Sequence, residues 1–225
     1  MVNVIFGASS GIGERFEALS PLAWEKPTKA DLDLAAGWVI DEYFAKLARD
    51  HQGIERFVYV AGINYLEWIG KLDGEKVADV FSINALSFIM SLDAIRRYFP
   101  ASTPSVVLVG SDAADRPMRT SIAYNASKAA AHMAARAAAR ELGPFGWRVN
   151  VVAPGMTDET GMQDYVDRRV LEVRGWSARK AFDYEQSQEV VPGRVDKTEV
   201  ADAIEYLLEG SPHLNGAFTY INGGR

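Results

Sequence analysis

Tyr124 and Lys128 stand four residues apart in the run Tyr124-Asn125-Ala126-Ser127-Lys128. In a helix that spacing puts both side chains on one face, one turn apart. A free tyrosine, with a pKa of about 10, is a poor base at neutral pH. A lysine cation beside it favours the phenolate and brings proton exchange near pH 7 within reach. The same pair also occurs on solvated helix faces, so alone it decides little. Ser111 lies thirteen residues earlier, just past the apolar run Ser105–Val109. That is the carboxyl edge of a candidate strand, where open α/β sheets bind ligands. Asn84 lies a further twenty-seven residues back, inside a helical pattern where propensity disfavours asparagine.

Near the amino terminus Val2–Phe6 runs straight into Gly7-Ala8-Ser9-Ser10-Gly11-Ile12-Gly13 and then a helical pattern. Glycine permits positive φ and close backbone approach to a pyrophosphate, and the free amides of a helix start face an anion. A glycine-rich turn can also be purely structural; a strand before it and a helix after it favour the phosphate-binding reading.

The elements that must hold these residues alternate along the chain. Strand candidates are Val2–Phe6, 56–60, Ser105–Val109, 148–152 and 217–221; helical stretches are 12–19, 35–51, 74–99, 123–142 and Lys197–Glu209. Such alternation predicts an α/β domain spanning 1–225, a Rossmann-like doubly wound parallel sheet with helices on both faces. Gly143-Pro144 is expected to stop the fourth helix and Asp196 to cap the last. Residues 19–35 are too few for a strand, a crossover helix and a second strand, because a parallel crossover alone takes about a dozen. The crossover helix is therefore expected to be missing, and the sheet to be shortened or irregular at its second/third-strand edge.

Bulk properties exclude several classes. The 225 residues carry a formal charge of −6 and a pI near 5.2, which argues against nucleic acid as a partner. No run reads as a membrane span and no signal peptide precedes the first strand, so the expectation is a cytoplasmic protein. There are no cysteines, which removes disulfides, thiolate metal sites and cysteine nucleophiles. His51, His132 and His213 are scattered and read as solvated or satisfied residues, with no metal expected. Asp112 and Asp115, beside Ser111, read as turn caps rather than a carboxylate pair.

Taken together, the glycine turn, Ala61-Gly62, Asn84, Ser111, Tyr124 to Lys128, Pro154-Gly155 and Asn222-Gly223-Gly224 resemble the short-chain dehydrogenase/reductase family in order and spacing over essentially the whole chain. The resemblance implies a catalytic tetrad. Tyr124 is the acid/base, Ser111 hydrogen-bonds the substrate oxygen, Lys128 lowers the tyrosine pKa and holds the nicotinamide ribose, and Asn84 fixes a water in a proton relay. It implies cofactor contacts at Gly7, Ser9, Ser10, Gly11, Ile12, Gly13, Asp31, Leu32, Ala61, Gly62, Pro154, Gly155 and Thr157, besides Tyr124 and Lys128. Homodimers or homotetramers are usual in the family. The chain departs from its pattern at Tyr59-Val60, where asparagines often stand, at Asn222 in place of aspartate, and most in the shortened adenosine-binding region.

The implied activity is hydride transfer between NAD or NADP and a small-molecule carbonyl or secondary alcohol. Glu25, Lys26 and Lys29 mix the signs that separate the two cofactors; the lack of a base before Gly11 tips the balance to NAD. Segment 156–191 is expected to be a substrate lid. Its five basic residues, Arg168, Arg169, Arg174, Arg179 and Lys180, are set against eight acidic ones, which favours a solvated amphipathic helix over an anion site. Its aromatics Tyr165, Trp176, Phe182 and Tyr184 suit either an apolar pocket or lid packing. Local runs around Ser111, Tyr124 and Pro154 are similar to 2,3-dihydro-2,3-dihydroxybenzoate dehydrogenases. The competing class is a catalytically silent dinucleotide-binding regulator or scaffold.

Overall fold

The computed structural model describes residues 1–37 and 39–224. Trp38, within the helix expected over 35–51, and Arg225, the last residue of the expected domain, lie outside the described residues. Five parallel strands form one sheet in the order β1 (Val2–Phe6), β2 (Ile54–Tyr59), β3 (Ser105–Val109), β4 (Arg148–Pro154) and β5 (Phe218–Ile221). Side chains alternate between the faces of a strand. Val4, Phe6, Phe57, Tyr59, Val106, Leu108, Val149 and Val151 therefore turn to one side. There they meet α2 (Val39–Asp50), α4 (Ser87–Tyr98) and α5 (Ile122–Leu142). Ile5, Val58, Val107, Val109 and Val152 turn to the other, against α1 (Gly11–Leu19) and α8 (Lys197–Glu209). Burial on both faces is why these strands read as unbroken apolar runs.

Beyond β1 the edge is reduced further than a shortened strand. Its ladder contact is the bridge Val4–Glu25, with the Ile5 amide donating to Glu25 O at 2.9 Å and the Glu25 amide to Asn3 O at 2.8 Å. No helix forms between Ser20 and Leu34, as the chain length requires. The five named strands run in sequence order, and the reversal of a doubly wound sheet is reduced to the parallel Glu25 bridge on the far side of β1 from β2.

Two expectations need correction. The helix expected over 74–99 is α3 (Gly74–Phe81), a π turn at Ser82–Leu86 and then α4. That helical run, Gly74–Tyr98, is long and apolar enough by composition to cross a membrane, contrary to the sequence reading. Half of its apolar window is buried in the fold, because Phe88, Leu92, Ala94 and Ile95 pack on the sheet. α5 ends at Leu142 with Gly143 as its C-cap, as expected, at a right-handed φ of −53°, and the left-handed turn follows at Gly146, φ 82°. Asp196 does cap α8, in a reciprocal box with Glu199. The segment expected as a lid folds into α6 (Gly161–Arg174) and α7 (Ala178–Gln186).

Candidate active site

The glycine turn joins β1 to α1 at the carboxyl edge of the sheet. Gly7 has φ 95°, and a Cβ there would stand 2.5 Å from Ala61 N; one on Gly13 would stand 2.1 Å from Gly7 O. Neither position has room for a side chain, and Gly7 needs a left-handed backbone. Ser10 precedes α1 in extended conformation without a side-chain cap bond, so the first amides of α1 are left to face the cleft. This cleft, of about 410 Å³, is lined by Gly7, Ser9, Ser10, Gly11, Ile12, Leu32, Ala61, Gly62, Ser111, Tyr124, Lys128, Pro154, Gly155 and Thr157. A backbone cradle that excludes side chains, with amides at one end and a lysine at the other, fits an elongated dinucleotide.

Three expected residues are not on its wall: Gly13, packed against Gly7 beneath the turn, Asp31 and Asn84. Asp31 turns back to accept from the Thr28 amide at 2.9 Å and Thr28 Oγ1 at 2.7 Å; Thr28, Lys29 and Asp33 line this part of the cleft instead. Asn84 stands behind the wall in the π turn. Its Oδ1 accepts from the Ile63 amide, while its Nδ2 donates to Ile63 O and to Ser127 Oγ, each at 2.9 Å. Both ends of the amide are thus engaged with the loop after β2 and with α5.

Ser111 leaves β3 in extended conformation and caps a short turn, its Oγ accepting from the Ala113 amide at 3.2 Å. The hydroxyl proton is left for another acceptor. Lys128 Nζ donates to Val109 O at 3.1 Å and lies 5.8 Å from the Tyr124 ring centre. Burial drives the Tyr124 phenol up to about 12, opposed by the Ser111 side chain and assisted by the Asp112 charge. Burial also drives the Lys128 ammonium down to about 8. Within the chain itself desolvation prevails, so the phenol moves opposite to the direction expected from spacing.

A second cavity of about 570 Å³ adjoins the first, sharing Asp112, Met118, Met156 and Val166 with it. Val170 and Leu171 of α6 line it with Trp176, Phe182 and Tyr184. Tyr165 instead accepts from the Leu66 amide at 3.5 Å. Of the basic lid residues, Arg169 and Arg179 pair with Glu172 and Asp183, while Arg174 lines the cavity. The residues that sequence reasoning passed over are Arg194, which ties α6 to α7 through Asp167 and Glu185, and His132, whose Nε2 accepts the Ser111 amide at 3.3 Å. Only His132 carried a signal, its four-residue step from Lys128.

A family model described as enoyl-(acyl carrier protein) reductase matches residues 8–225. The vibriobactin-specific 2,3-dihydro-2,3-dihydroxybenzoate dehydrogenase of Vibrio cholerae is 29% identical over 215 residues, covering 94% of this chain and 80% of its own. A short-chain dehydrogenase family protein from Francisella tularensis superposes with a TM-score of 0.85 at 23% identity, covering 100% of this chain and 98% of its own. The structure of ElxO with NADP bound superposes with a TM-score of 0.80 at 18% identity, covering 99% and 98%.

Proposed function

Because the chain belongs to the short-chain dehydrogenase/reductase family, and is an enzyme of that kind, we propose that Tyr124, Ser111 and Lys128, positioned with the help of Asn84, carry hydride exchange between a nicotinamide dinucleotide and a carbonyl or secondary alcohol. The observation that carries the reading is that Ser111, Tyr124 and Lys128 share one cleft wall with the glycine turn. The dinucleotide, held along Gly7 to Gly13 and Ala61-Gly62, supplies the hydride chemistry when bound. Tyr124 gives or takes the proton at the substrate oxygen. Ser111, one of its lone pairs already occupied by the Ala113 amide, donates to that oxygen. Lys128 holds the ribose hydroxyls next to the ring, and its charge there favours the phenolate against burial. Asn84 braces the Ile63 loop, which is part of the cleft wall, against α5.

Asp33 offers an acceptor to ribose hydroxyls and Lys29 a cation to a 2′-phosphate, so NAD is the first cofactor to test, with NADP beside it. The lid segment 156–191 closes a cavity with Trp176 and Phe182 on its wall, which suits an apolar ring. The relationship to a dihydrodiol dehydrogenase makes cyclic diols the first substrates to try. Exposed Leu86, Ile89 and Met90 in the turn and on α4, with Ile122 and Met133 on α5, support assembly as a homodimer or homotetramer.

Calorimetric titration with NADH and NADPH, followed by a panel of alcohols and carbonyls, tests the reading. Tyr124→Phe should bind cofactor as before yet lose turnover by about a thousandfold or more. Undiminished turnover in that variant removes Tyr124 from the chemistry.

A further inference from the structure

Tyr124, Lys128 and His132 form a ladder of four-residue steps along one face of α5. His132 is 2% exposed, and nothing in the chemistry above uses it. Its Nε2 accepts the Ser111 amide at 3.3 Å. The ring also lies against Gly110, where an added Cβ would fall 2.1 Å from Nε2. Gly110 and Ser111 are the residues by which the chain leaves β3, so the imidazole supports from behind the turn that carries the Ser111 hydroxyl. On its other side the Phe218 ring stands edge-on at 5.1 Å.

The second ring nitrogen is treated differently. An imidazole whose Nε2 accepts carries its proton on Nδ1, and Nδ1 is buried without a hydrogen-bond partner. The nearest acid is Asp115, with Oδ2 at 3.8 Å, which also accepts the Tyr220 hydroxyl. An aliphatic side chain would remove the orphaned Nδ1 but leave the buried Ser111 amide without its acceptor. The cost of the orphaned Nδ1 is offset only through what Nε2 does.

We propose that His132 is a positioning residue, which by accepting the Ser111 amide holds the turn after β3 in register with α5 and keeps the Ser111 hydroxyl aimed where Tyr124 acts. The proposal rests on the reading of this cleft as an oxidoreductase site. The charged groups facing the ring are Lys128 and Arg136 of its own helix and Asp115 of the turn after β3. Burial first, then Lys128, pushes the imidazole down to about 4 against the pull of Asp115, so it is neutral at pH 7. Protonation would place a hydrogen on Nε2 and remove the acceptor.

The test compares wild type, His132→Ala and His132→Gln, with the best substrate of the panel and with the Ser111 amide observed by NMR hydrogen exchange. Loss of the acceptor in His132→Ala should lower kcat by about tenfold to a hundredfold with little change in cofactor Kd. Gln, which can present an amide oxygen near Nε2, should recover most of that loss and should remove the acid limb of kcat below about pH 5. Ser111 exchange should accelerate in the Ala variant and slow again in the Gln variant. A loss of thermal stability in His132→Ala with kcat and the pH profile intact overturns the proposal, as does unchanged Ser111 exchange. If wild type turns over nothing in the panel, the oxidoreductase reading fails by itself and the Ser111 exchange still decides this one.

Discussion

The Tyr59 hydroxyl, at the end of β2, donates to the carbonyl oxygen of Ile83 in the π turn. In that turn the Ser87 amide reaches back five residues to Ser82 O instead of four to Ile83, and the hydroxyls of Tyr59 and Ser87 supply donors to Ile83 O. The departure from the family's asparagines at Tyr59 thus sustains the irregular turn that presents Asn84 to Ile63.

Tyr59→Phe keeps the ring among Phe6, Phe57 and Phe88 and removes only the donor. Stability should fall by about 1 kcal/mol in urea unfolding. Turnover should fall by less than about tenfold, because Asn84 keeps its own bonds to Ile63 and Ser127.

Lys128 is held against its own solvation. Its ammonium titrates at about 8 in the fold against 10.5 as the ordinary value, through burial. Between these values the unfolded chain binds more protons, so stability rises as pH climbs through that window and is lowest below it. Lys128→Met should therefore abolish turnover while stabilising the protein at pH 7, on the order of 2 kcal/mol. Thermal unfolding at pH 7 and pH 10 checks the sign: the stabilising effect should shrink at the higher pH.

Much of this site is legible in spacing alone, and what is not has physical causes. Ser111, Tyr124 and Lys128 can be placed because a strand end and an i, i+4 pair are local geometry. The start of α8 at Asp196 is legible because capping is local too. The π turn is not, since Asn84 is the one residue of odd propensity in an otherwise regular pattern. Asp31-Leu32 and Asp33-Leu34 offer two registers for an acid on the cleft wall, and only the turn closed by Thr28 decides that Asp33 faces the cleft. The direction of the Tyr124 shift depends on burial, which a four-residue spacing does not report. His132 reads as a lone histidine until β3 and α5 are packed together.

Gly13→Ala separates cofactor binding from folding at the other end of the cleft. A Cβ there falls 2.1 Å from Gly7 O, and backbone must move to admit it. The first turn of α1 should shift away from the glycine turn and the amides with it. Affinity for NADH or NADPH should drop by about a hundredfold or more, with a smaller loss of thermal stability. A calorimetric titration of the variant with an unchanged Kd would show that the dinucleotide does not sit on this turn.

Arg194 holds the lid by a clasp of charges. Its guanidinium donates to Glu185 at 2.6 and 2.9 Å and to Asp167 at 2.8 and 3.0 Å, joining α6 and α7 where they cover the second cavity. Glu185 is 7% exposed, so removing its partner leaves a buried carboxylate unpaired, at a cost of about 3 kcal/mol or more. That penalty falls on the lid and not on the sheet, because neither helix contributes to the main core clusters. Arg194→Met should speed hydrogen exchange across α6 and α7 and raise the substrate KM, while strands β1 to β5 keep their protection. Adding Glu185→Leu should restore protection of the lid, since the unpaired charge is then gone. If the double variant stayed as loose as Arg194→Met, the geometry of the clasp rather than the buried charge would be what closes the lid.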